Sequence, residues 1–244
     1  MTSEQIVAQK KRKNILGFLT AKTFERTIIE SAGLSLFLLM AAEYALYYGF
    51  LKGIQNFGTR FAPFVLFLIT FLILNTSFIR YFKGLKREFS CMTGCMIGMT
   101  MGMVSGFTLG AVIGATNGML VGSVYGLFIG MLFGSWAGKC CGLMGTMEGM
   151  MAGLMGGIMG AMTSLMLISE NVFIFLGILG AASATILIFL VKHVSTENKD
   201  AEGYFKPMDF LTFLGLNTLI LLLSTWLIIY GPKSVIVAQI TWGT

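Results

Sequence analysis

Long apolar stretches, broken by short polar or charged segments, dominate this chain. Seven can be marked, at about residues 32–50, 61–79, 91–113, 118–138, 143–168, 172–191 and 210–230. Each is close to the roughly 20 apolar residues that a helix needs to cross the hydrocarbon core of a bilayer. Pro63, Pro207 and Pro232 all fall at or near the ends of these runs, away from helix interiors where proline removes a hydrogen bond. The pattern predicts an all-α fold, a polytopic transmembrane helical bundle of about seven helices. Residues 1–30 read as a basic amphipathic segment, 31–230 as the bundle and 231–244 as an extracytoplasmic tail.

Within the bundle, residues 90–167 stand apart. They hold 19 of the 31 glycines and 15 of the 18 methionines, and no proline. From Gly94 to Gly142 a glycine recurs at every fourth residue, and the spacing continues at 145, 149, 153, 156/157 and 160. Lipid supplies no hydrophobic force between helices, so association depends on van der Waals contact, and small residues let backbones approach. With 3.6 residues per turn, a step of four winds the glycine line around each helix, which suits right-handed crossings near about −40°. The run is too long for one span, so it must fold back. The expected turns lie at Ala115-Thr116-Asn117 and near Lys139-Cys140-Cys141. The third to fifth spans are thus expected to form a tightly packed trio with a glycine-zipper core.

Composition agrees with a membrane protein. Of 244 residues, 56% are hydrophobic and 11% charged, where a soluble domain carries about 25% charged residues. The net charge of +6 is no nucleic-acid footprint, because the basic residues sit in short segments between apolar runs. With the N-terminus inside, fourteen Lys and Arg fall in cytoplasmic segments, against Lys52, Arg60 and Lys233 outside. That bias predicts a cytoplasmic N-terminus and an extracytoplasmic C-terminus, with the cell membrane as the expected location. The 118–138 run, with its very short connections, is the one that an even span count would make re-entrant. Ile15, Leu16, Phe18 and Leu19 among the N-terminal charges fit either an interfacial helix or a solvated tail. No short apolar region with a small-residue cleavage site follows those charges, so they do not read as a signal peptide.

The candidate chemistry is soft. Cys91 and Cys95 stand one turn apart, with Met92, Met96, Met99 and Met103 on a neighbouring stripe. In the fifth span Met144, Met147, Met151, Met155, Met159, Met162 and Met166 step by three or four, with Glu148 near the start. Cys140 and Cys141 precede that ladder, so all four cysteines fall at the cytoplasmic end, where thiols stay reduced. Thiolates and thioethers favour Cu(I), and a thioether ladder could pass such an ion along a dry seam. The competing reading is that methionine fills the irregular gaps left by glycine.

The pairs Met92/Met96 and Met99/Met103 and the series Met151, Met155, Met159, set beside repeated Gly-x-x-x-Gly, resemble the transmembrane motifs of the high-affinity copper transporter family. The likeness covers about residues 91–166. It implies that the intramembrane methionines select Cu(I) and that the glycine helices pack an oligomer. The chain differs from that family in span number and in its lack of a Met-rich ectodomain. The stretch 155–162 also looks like uncharacterised prokaryotic glycine-zipper membrane proteins.

Glu43 and Glu148 are ionisable residues inside spans, which makes them functional candidates. They would be the acids of a small-cation channel, and Glu43 could equally be a protonated carboxyl bonded to a tyrosine or to Asn75. His193, the single histidine, reads as a solvated interface residue, and Trp136, Trp226 and Tyr230 as interfacial anchors. No constellation of an enzyme or a nucleotide site is present. The expectation is an integral membrane protein, not an enzyme, that binds or transports a soft metal such as Cu(I). It would act as a homo-oligomer or as a subunit of a membrane complex. The alternative is a structural glycine-zipper subunit.

Overall fold

The structure, a computed structural model, describes residues 62–84, 91–167, 171–197 and 210–232. Six α-helices account for nearly all of these: α1 (Ala62–Gly84), α2 (Cys91–Asn117), α3 (Met119–Gly138), α4 (Gly142–Met166), α5 (Val172–Glu197) and α6 (Phe210–Tyr230). All six are long and apolar enough to cross a membrane, so the protein is an integral, multi-pass helical membrane protein. The 32–50 run, Glu43, the N-terminal basic segment, most of the 194–209 loop and all but the start of the C-terminal tail lie outside the described residues.

Helices are what lipid demands of such sequences, because every backbone polar group must be satisfied within the segment. The polar side chains inside the spans follow the same rule. Thr70, Thr100, Ser105, Thr108 and Thr218 each return a hydroxyl to a carbonyl one turn back in their own helix.

The first turn of the trio differs from expectation. The helix does not end at Ala115; α2 continues through Asn117, and the reversal is made at Gly118, with φ 108° and ψ 174°. That conformation is essentially open to glycine alone. Thr116 and Asn117 have no need to leave the helix. The Thr116 hydroxyl donates to Ile113 O at 3.1 Å, and the Asn117 amide donates to Leu227 O on α6 at 2.7 Å. The second turn is a short 3-10 segment, Lys139–Cys141, ended by Gly142 at φ 69°.

Helices α2, α3 and α4 pack on one another along their glycines in constant register. Parallel α2 and α4 pair residues 47 positions apart: 98 with 145, 102 with 149, 106 with 153, 110 with 157 and 114 with 161. Antiparallel α3 contributes 138, 134, 130, 126 and 122 to the same five levels. Fourteen of those fifteen positions are glycine, and Ala161 is the exception. A methyl on Gly98 would stand 2.9 Å from Gly145 O and 3.0 Å from Gly138 Cα, so the seam is backbone against backbone. A repeat longer than 3.6 residues stays in contact over several turns only if the helices wind around each other right-handedly. Helix α3 returns along the full length of the trio and is itself long and apolar enough to cross a membrane.

Helices α1 and α6 are fastened by polar bolts in an apolar setting, and α5 meets α1 through an aromatic pair. The Asn75 amide donates to Thr108 Oγ1 at 3.2 Å, tying α1 to α2. The Thr76 hydroxyl donates to Asn217 Oδ1 at 2.9 Å, tying α1 to α6. Tyr125 on α3 and Ser224 on α6 share a short hydrogen bond. Phe64 stacks on Phe173 with centroids 5.0 Å apart, placing the starts of α1 and α5 together. These contacts bring the C-terminal ends of α1, α3 and α5 to the end where α2, α4 and α6 begin. Arg80, Lys83, Lys139 and Lys192 therefore lie at that one end, where Arg80 sits 5.2 Å over the Phe213 ring.

Candidate functional site

The same glycine spacing that defines the axis also fixes where every other residue points. At 100° per residue, the position before an axis glycine lies on one flank of its helix, and the position two before lies at the back. On α4, Gly156 and Gly160 occupy the flank turned to α2. A methyl on Gly156 would meet Met103 O at about van der Waals overlap or closer, and one on Gly160 would meet the Phe107 carbonyl. These pairs, 103 with 156 and 107 with 160, are 53 residues apart. The same separation carried back by single turns sets 99 beside 152, 95 beside 148 and 91 beside 144.

Side-chain proximity follows that register. The Cys95 thiol lies within hydrogen-bonding reach of the Glu148 carboxyl on α4 and of Cys91 one turn back. Two packed helices leave an outward groove along their line of contact. This register sets Cys91, Cys95, Met99, Met103 and Phe107 of α2 along one side of it and Met144, Glu148, Ala152, Gly156 and Gly160 of α4 along the other, with the backbones touching at the Met103–Gly156 and Phe107–Gly160 levels. All its thiols and its carboxyl are at the basic end, and Phe107 stands at the other. Glu148 is half-buried, six residues into α4, or about 9 Å along it.

Not every expected site residue joins the groove. Met92 and Met96 lie on the back of α2, and Met147 and Met151 on the back of α4; all four are exposed. Cys140 lies on the 3-10 turn at the level of Cys91 and Cys95, is exposed, and donates its thiol to Ala137 O at 3.3 Å. The backbone of Cys141 shares that turn. Among the described residues no three His, Cys, Asp or Glu side chains converge as a metal-holding group. The two thiols and Glu148 form a row, and a metal ion there would draw on thioethers to complete its ligands.

The seam itself is not lined by methionine. Of the fifteen methionines in the described helices, thirteen are exposed, and only Met101 is fully buried, with Met131 in between. Gap-filling beside glycine would bury them. With Gly157 and Ala161 on the axis, Met155 and Met159, each two residues earlier, fall on the back of α4. A concavity along α6 from Leu214 to Trp226 is open and apolar and carries no titratable group.

Compared with known proteins, the chain matches no family model, no curated protein and no solved structure. Geometry and chemistry alone therefore carry the reading of this groove.

Proposed function

We propose that the protein binds and transports a soft monovalent metal ion, Cu(I) above all, and that the α2–α4 groove is where the ion is held. One observation carries this reading: the Cys91 and Cys95 thiols and the Glu148 carboxyl come together at one end of the α2–α4 contact, on a close-packed three-helix core. Thiolate and thioether donors select Cu(I) over the hard cations that carboxylate and carbonyl oxygens favour. Cys91 and Cys95 would capture the ion, with Met144 completing the site and Met99 and Met103 extending it into the bilayer. Cys140 and Cys141, on the turn at the same end, would deliver or receive it.

The basic end faces the cytoplasm in this reading, as Lys and Arg bias orientation, and the membrane is the cell membrane. Reducing conditions there keep the thiols free. The likeness of the methionine and glycine spacing to the high-affinity copper transporter family points the same way.

The test is Cu(I) binding by the purified, detergent-solubilised protein under reducing conditions, against a competing chromogenic chelator. Tight stoichiometric binding that weakens at least tenfold in the Cys91→Ser/Cys95→Ser protein is expected. A chelator signal indistinguishable from buffer would sink the metal reading.

A second reading rests on the closed seam. Five levels of backbone contact leave no passage between the three helices, as befits a structural subunit of a larger membrane complex. On that reading, replacing the cysteines by serine and the outward methionines by leucine leaves assembly unchanged.

A further inference from the structure

Two asparagines and two threonines meet deep in the bundle, at the junction of α1, α2 and α6. Asn75, Thr76, Thr108 and Asn217 are all buried. Asn75 and Asn217 lie two and three residues from the midpoints of their helices, or about 3 and 4.5 Å along the axis. Hydrogen bonds between helices account for part of such a cluster. A count of protons shows that they do not account for all of it.

A hydroxyl carries one proton. That of Thr76 is divided among Leu72 O at 2.7 Å, Ile73 O at 3.3 Å and Asn217 Oδ1 at 2.9 Å. That of Thr108 returns to its own helix, at Val104 O and 2.7 Å. The Asn217 amide donates to Phe213 O at 2.8 Å, and the Asn75 amide to Phe71 O at 2.9 Å and to Thr108 Oγ1. Asn75 Oδ1 is left without a donor, on a residue with no exposed surface. Turning that amide over would set Oδ1 against the Phe71 carbonyl and lose a bond. An acceptor without a donor is costly inside a membrane, where no bulk solvent reaches it.

We propose that this junction binds a water molecule, which donates to Asn75 Oδ1. Water brings the protons that the four side chains lack, and free lone pairs on Thr108 and Asn217, in the same cluster, are acceptors for the second. A cation would satisfy the same oxygen, but α1, α2 and α6 carry no Asp or Glu to balance its charge. The site is independent of the α2–α4 groove and of its metal.

Radiolytic labelling of the full-length chain in lipid nanodiscs tests the site, because hydroxyl radicals made from bound water oxidise the side chains beside it. Leu72, three residues before Asn75, and Leu187 on α5 are equally buried. Leu72 should be oxidised several-fold faster than Leu187, and Asn75→Leu should bring it down to the Leu187 rate. Equal rates in the unmodified chain, or a Leu72 rate that Asn75→Leu leaves unchanged, would overturn the proposal. A crystal structure of the unmodified chain from lipidic mesophase provides a second measurement. Ordered density about 2.8 Å from Asn75 Oδ1 is the expected result. A map with nothing at that place, or with a side-chain donor there, would remove the site.

Discussion

Gly134 on α3 and Gly149 on α4 lie so close that a methyl on either would overlap the carbonyl of the other. Neither atom of that clash belongs to a side chain that could turn aside. Gly134→Ala or Gly149→Ala must therefore push the two helix backbones apart, and forced overpacking of this kind costs about 1–3 kcal/mol or more. A lowered melting temperature in detergent is the expected reading. Gly177 and Gly215 have nothing within 4 Å of the place a methyl would occupy on their helices. Alanine there should leave the melting temperature unchanged or raise it slightly, since alanine is the better helix former. Equal losses at Gly134 and Gly177 would mean that the seam is not the source of stability.

Gly142 makes a different demand. Its φ of 69° with ψ −147° suits glycine, yet nothing stands within 4 Å of the place a side chain would occupy. Gly142→Ala should cost about 1–3 kcal/mol of backbone strain, and Gly142→Leu about the same. At Gly134 the loss should instead grow with side-chain size, from alanine to leucine. Thermal unfolding of the four variants separates conformational cost from steric cost.

Thr76 and Asn217 join α1 to α6 across 2.9 Å, and both are buried. A double-mutant cycle with Thr76→Val and Asn217→Leu should give a coupling of about 0.6 kcal/mol, the scale of hydrogen bonds between membrane helices. A coupling near zero would show that these side chains find other partners when separated.

Cys91 and Cys140 are exposed at the end that carries Lys139 and Arg80. With that end in the cytoplasm, a membrane-impermeant maleimide should label neither in intact cells and both in inverted vesicles. Labelling from outside would reverse the proposed orientation and place the capture site on the outer surface.

The trio was legible because glycine at every fourth residue admits only close backbone approach, and the glycines from Gly94 to Gly142 display that without interruption. The turn falls at Gly118 and not at Ala115 for a physical reason. Thr116 and Asn117 look like turn residues, but one bonds within its helix and the other reaches the Leu227 carbonyl on α6, a partner 110 residues away. The meeting of Cys95 with Glu148 was likewise beyond reach, because it depends on which flank of α4 turns to α2, and Gly156 decides that only by packing on Met103. The outward direction of Met155 and Met159 was open for the same reason, because packing and not spacing puts Gly157 and Ala161, rather than Gly156 and Gly160, on the axis.

One consequence follows from fourteen glycines meeting where side chains would ordinarily mesh. Such a joint stores its instructions in spacing rather than in residue identity, so a single insertion within α2, α3 or α4 would dislocate every level beyond it. A substitution at an outward position between the glycines, such as Met96, Phe128 or Met151, would disturb none of them. Those outward residues are thereby released from holding the fold, and the chemistry of the outer surfaces can be rewritten over an unchanged frame.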